Sequence, residues 1–183
     1  VGARLPGKSR RYFSRVTDYT NFWSQQSRVS GQREWLYSAV LAVPAEVYHQ
    51  VGGFDPGLEV GEDVDLTTRI LHAGYPVFYD ASLVGHHNHH RETFCSAVSY
   101  FWHNGRLARY QFQQNPQGRR WFGAGVVLRN FVNCTKNMIV CNSGELLKIF
   151  PYLPGIILMY AIFSVSLEVH YQRYAREHAS GSN

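Results

Sequence analysis

From Ile149 to Tyr171 the chain carries a mostly apolar run, centred on Ile156-Ile157-Leu158-Met159-Tyr160-Ala161-Ile162-Phe163. About 20 helical residues cross a bilayer core of ~30 Å, so this run belongs in or on a membrane, or against the rest of the chain. Lys148 stands at one end, Arg173 and Arg176 beyond the other, and Tyr152 and Tyr171 fall near the positions of interfaces. Pro151, Pro154 and Glu168 interrupt a clean span. An interfacial helix, or one packed on a globular body, therefore stands beside the spanning reading. Basic residues on both flanks leave the orientation open.

With 183 residues, 45% hydrophobic and 17% charged, the chain is long and apolar enough for one core-bearing domain with helices attached. A net charge of +5 suits anionic partners, a nucleotide diphosphate or acidic headgroups among them. The sequence contains no Arg/Lys-rich block and no recognition-helix pattern, which removes nucleic acid from the candidate partners. Cys95, Cys134 and Cys141 are odd in number and form no Cys-x-x-Cys pair, so a reducing compartment is expected.

Val1 to Gly7 reads as a strand end running into a loop, and the sequence is expected to be the later part of a longer protein. Tyr12, Val16, Tyr19 and Trp23 share a face at helical spacing over residues 9–27. Trp35 to Val43 predicts a buried strand. Pro44 can open a short helix to Gln50, which Gly52-Gly53 would end. A helix is predicted from Glu62 to Ala73, with Asp65 and Arg69 four apart and Gly74 as its stop. Short strands are predicted at Pro76–Tyr79 and Ser82–Val84, then a helix over 91–114 with Phe94, Val98, Phe101, Ala108 and Phe112 on one face. Asn115-Pro116-Gln117-Gly118 breaks it, and a mixed helix at about 121–141 precedes the apolar run. Two regions are thus expected, 1–115 and 116–183, with a membrane-associated helix at about 149–171.

Glu62, Asp63 and Asp65 place three acids in four residues at a predicted helix start. One acid there caps free backbone N–H groups and complements the helix dipole. Asp65 has Arg69 to pair with. Glu62 and Asp63 remain to face a cleft, where a carboxylate can take a proton from a hydroxyl.

The ordered set Val51-Gly52-Gly53-Phe54-Asp55, Gly61-Glu62-Asp63-Val64-Asp65-Leu66, Arg69, Ala73-Gly74-Tyr75 and a strand ending at His86 resembles family-2 glycosyltransferases across about residues 35–112. The resemblance implies an α/β fold of the GT-A type, here a partial one with an incomplete sheet flanked by helices and C-terminal helices added. It implies Asp63 as the base that deprotonates an acceptor hydroxyl, Glu62 as an acceptor contact, and Asp65 and Arg69 as structural. The implied reaction is transfer of a sugar, with inversion, from a nucleotide-sugar donor to a glycan or lipid-linked acceptor. In such enzymes an upstream Asp-x-Asp holds Mg²⁺ or Mn²⁺ against the diphosphate, and His86, or His87 in its place, would contact the metal or the diphosphate. That Asp-x-Asp is absent here, so this piece alone is expected to be inactive. Gly85 and Val40 depart from the usual pattern.

His103 and Arg106, in a segment similar to one in membrane-linked members, are candidate diphosphate contacts; the plainer reading is the polar face of a helix. Two other function classes stay open. One is a non-catalytic, membrane-anchored binding module that keeps the fold without the donor site. The other is a metal-binding domain built on His86, His87, His89 and His90, although neighbours on a strand point to opposite faces and cannot easily surround one ion. The expected location is the cytoplasmic face of a membrane.

Overall fold

A computed structural model describes residues 2–6, 9–21, 30–34, 36, 40–114, 128–129, 132, 136 and 146–180. The fold is mixed α/β and mostly helical, with one small sheet. Strand β1 (Gly2–Pro6) is followed by helix α1 (Tyr12–Asn21), the two-residue strand β2 (Gly31–Gln32), α2 (Ala45–Gln50), α3 (Glu62–His72) and strand β3 (Phe78–His87). Helix α4 (Phe94–Asn104), a 3-10 turn (Gly105–Leu107) and α5 (Ala108–Gln114) come next. The described chain ends in α6 (Leu146–Ile149), a second 3-10 turn (Phe150–Tyr152) and the long α7 (Leu153–Ser180).

β3 is the central strand. It pairs in parallel with β1, Leu5 opposite His86 and Pro6 opposite His87, and antiparallel with β2 at Gly31 and Gln32. The two strands expected at 76–79 and 82–84 are thus one continuous strand, because the backbone of Asp80 and Ala81 stays extended between them. Among the described residues of the stretch Trp35–Val43, where a strand is expected, none is in a strand. Leu36 and Val40–Val43 pair with no strand, and residues 35 and 37–39 lie outside the described residues. Leu36 is bound instead by a side chain: its N–H reaches the Thr67 hydroxyl at 3.2 Å.

Two cores result. Leu36, Val47, Leu66, Ile70, Val77 and Tyr79 join α2, α3 and β3. Val16, Tyr19, Ala97, Phe101, Ile156, Met159 and Tyr160 join α1, α4 and α7. Ile156 and Met159 are fully buried, each worth about 1.5–3 kcal/mol of transfer free energy. The expected aromatic face of α1 is real at Val16 and Tyr19, and Tyr12 reaches α7 by accepting the Gly155 N–H at 3.2 Å. The Tyr160 hydroxyl donates to the Thr20 carbonyl at 3.0 Å. The helix expected at 91–114 starts at Phe94, where Thr93 and Ser96 form a capping box, and tightens into the 3-10 turn at Gly105. The helix expected at about 121–141 and the outer end of the 9–27 helix fall largely outside the described residues.

The apolar C-terminal run is one helix, long and apolar enough to cross a membrane. At 28 residues, α7 is about 42 Å long. One side packs on α1, α4 and α5. The other shows Ile157, Leu158, Val165 and Val169 to the outside, each 43–47% exposed, with Leu147 and Phe150 exposed just before them. Pro151 and Pro154 are accommodated where the 3-10 turn hands over to the helix, as a missing N–H costs little in a first turn.

Candidate active site

The acidic cluster begins α3. Gly61 immediately precedes it with φ +91°, a left-handed backbone that suits glycine, and a Cβ at this position would come 2.5 Å from Leu107 Cδ1. The start of α3 therefore presses closely against the turn that joins α4 to α5. Tyr110 of α5 reaches the same helix from the side, its hydroxyl 3.4 Å from that of Thr68.

Asp65 and Arg69 make the ion pair read from the sequence. Arg69 Nε and Nη2 meet Asp65 Oδ2 at 2.8 and 2.6 Å, and Nη2 also donates to the Gly53 carbonyl at 2.7 Å. Nη1 donates to the Val51 carbonyl. One guanidinium thus ties α3 to the Gly52-Gly53 turn, whose residues have φ +83° and +66°. The geometry makes Asp65 and Arg69 a structural clamp.

Glu62 and Asp63 are both half-buried. Asp63 Oδ1 accepts the Val64 N–H at 2.8 Å, which satisfies part of the helix start. Below it, the Thr67 hydroxyl donates to the Asp63 carbonyl at 2.9 Å. Glu62 is held above the usual carboxylate range, first by burial and then by repulsion from Asp63, against backbone hydrogen bonds that pull it down. Two adjacent carboxylates with one partly desolvated is an arrangement suited to proton transfer.

His86 and His87 occupy the C-terminal end of β3, beside the end of β1; their side chains lie outside the described residues. In open α/β sheets this edge is where ligands bind. His89 is turned inward. Its Nδ1 accepts the Arg91 N–H at 3.2 Å, so the ring proton sits on Nε2, which faces Asp18 Oδ1 at 3.3 Å. Asp18 is fully buried on α1. The Arg91 guanidinium lies over the Tyr100 ring at 3.4 Å. His89 is thereby committed to α1, and His90 is exposed to solvent. Among the described residues no three His, Cys, Asp or Glu side chains gather to hold a metal.

The same holds for the divalent ion implied by the resemblance. The one Asp-x-Asp spacing in this stretch, Asp63-Val64-Asp65, has its second carboxylate occupied by Arg69. The described residues do not fit a Mg²⁺ or Mn²⁺ site.

His103 is exposed on α4, and Arg106 pairs with Glu59 in the loop that leads into Gly61. The site therefore brings Arg106 to the loop carrying the two acids. Glu59, His170 and Arg173 were missed by the sequence reading. Their neighbours lie far away along the chain, and the one signal was a histidine inside an otherwise apolar run.

Comparison of the chain with protein families, with curated proteins and with solved structures finds no match.

Proposed function

We propose that the chain is the acceptor-side part of an inverting glycosyltransferase of GT-A type, with Asp63 as general base. The observation that carries this reading is the helix start itself. Two half-buried carboxylates follow a left-handed Gly61, while the third acid of the motif is held aside by Arg69.

In the proposed step the acceptor hydroxyl oxygen forms a bond to the anomeric carbon of a nucleotide-sugar. The bond from that carbon to the diphosphate oxygen breaks, and its electron pair leaves with the nucleoside diphosphate. The hydroxyl proton passes to Asp63. Glu62 contacts the acceptor. The rest of the donor site is expected from residues beyond this sequence.

Membrane association follows from α7. Its outer face is apolar over several turns, and Lys148, Arg173 and Arg176 at its two ends suit an anionic surface. Because the inner face is packed on α1, α4 and α5, the helix is read as lying in the interface. The expected location is the cytoplasmic face.

The stereochemistry of the product tests the reaction class. With the longer protein and a nucleotide-sugar it accepts, NMR of the product should show the anomeric configuration opposite to that of the donor. Retention would overturn the single-displacement reading. A protein that binds membranes and glycans but transfers no sugar would be the non-catalytic module.

A further inference from the structure

Where the end of α4 meets α7, there is no room for a side chain at Gly105. Gly105 faces Ser166 so closely that a Cβ would lie 2.6 Å from the Ser166 backbone carbon, and the Ser166 hydroxyl donates to the Trp102 carbonyl at 2.5 Å. One turn further along α7 comes His170, whose ring centre is 6.3 Å from that of Trp102. His170 Nε2 is buried and has no hydrogen-bond partner.

Four basic side chains from two distant stretches meet here. His103 and Arg106 come from the end of α4 and the turn after it, and His170 and Arg173 come from α7. Burial and the charges of Arg106, Arg173 and His103, in that order, hold His170 below the usual histidine range. The charged neighbours that act on it are all basic. Two acids stand at the edge: Glu59 pairs with Arg106, and Glu177 pairs with Arg173 at 2.9 Å. Both are exposed, with side-chain exposures of 61% and 51%. Surface pairs of this kind contribute little and exchange readily. An anion can take their place.

The surroundings say what carries the anion. Val165, Val169 and Arg173 follow one another at four-residue intervals, so the exposed apolar stripe of α7 ends on a cation. Trp102, 43% exposed, flanks the same spot, and Trp is the residue type favoured at the boundary between acyl chains and headgroups. An apolar strip leading to a cluster of exposed cations suits an amphipathic anion.

We propose that His103, Arg106 and Arg173 bind the phosphate of a lipid whose chains lie along the outer face of α7. Because Arg106 stands beside the loop of Glu59, this places the headgroup near the start of α3, where Glu62 and Asp63 lie. As an acceptor site the proposal rests on the glycosyl-transfer reading; as a lipid-phosphate site it does not.

The test is binding of the protein to vesicles of phosphatidylcholine with and without phosphatidic acid, followed by Trp fluorescence or flotation, with soluble pyrophosphate as competitor. Phosphatidic acid should strengthen binding, and Arg106→Ala or Arg173→Ala should remove about tenfold of that gain. Arg10→Ala, which removes one exposed charge elsewhere, should leave it unchanged. Circular dichroism melts identify any variant that loses its fold. Equal weakening by Arg10→Ala, or no preference for phosphatidic acid, would overturn the site. Binding of pyrophosphate as tight as that of the lipid would overturn the lipid assignment and leave a site for a soluble diphosphate. An Asp63→Asn protein should bind these vesicles normally, so the catalytic and lipid-binding readings fail separately.

Discussion

Gly105 lies so close to Ser166 that a Cβ there would fall 2.1 Å from the Ser166 hydroxyl and 2.6 Å from its backbone carbon, and this approach sets how the end of α4 meets α7. Gly105 has φ −60°, so its backbone would accept any residue. The need for glycine there is one of space. Gly105→Ala must push the helices apart, and overpacking of this kind costs about 1–3 kcal/mol. Urea denaturation should show that loss. Wild-type stability would mean the crossing is looser than described.

His89 and Asp18 make a second tie, between the loop after β3 and α1. With the Arg91 N–H donating to Nδ1, His89 has Nε2 to offer to Asp18. His89→Ala leaves a fully buried carboxylate without its donor and should cost about 2–4 kcal/mol. Asp18→Asn should cost less, since an amide oxygen still accepts the bond. Nitrogen chemical shifts of His89 should report Nε2–H; a protonated Nδ1 would contradict the arrangement.

Glu62 makes stability depend on pH. Its carboxyl binds the proton more tightly in the folded chain than in the unfolded one, whose value is the ordinary 4.5. The stabilisation this gives is complete below that value and is lost as pH rises through the raised one. At neutral pH the buried, ionised group works against folding. Glu62→Gln should therefore raise the melting temperature at neutral pH, and the gain should disappear below pH 4.5. A melting temperature unchanged at neutral pH would show that Glu62 is solvated.

The sequence revealed elements whose signals are local. Gly61 before three acids and Gly74 after them bracket α3 almost to the residue, because caps and stops act within one turn. The Asp65–Arg69 clamp was legible for the same reason, as its partners are four residues apart. The described part of the run from Trp35 to Val43 is not strand, although an apolar stretch reads as a strand whether or not a partner strand exists. Here Leu36 hydrogen-bonds to the Thr67 side chain. The basic pocket was only half visible. His103 and Arg106 stood out on their own helix, but no spacing rule connects them with His170 and Arg173, which reach them only through the packing of α7 on α4. The inner face of α7 was equally hidden, because an apolar run looks alike to a membrane and to a core.

The central claim is that Asp63 is a base, whereas Asp65 beside it is a structural clamp. Sugar transfer and thermal stability of Asp63→Asn and Asp65→Asn, measured in the longer protein with a nucleotide-sugar it uses, separate the two roles. The account predicts that Asp63→Asn keeps its melting temperature and loses transfer by at least about a hundredfold, in line with removal of a general base. Asp65→Asn should lose about 1–3 kcal/mol of stability as the Arg69 contact weakens. Normal turnover by a folded Asp63→Asn protein would contradict the account.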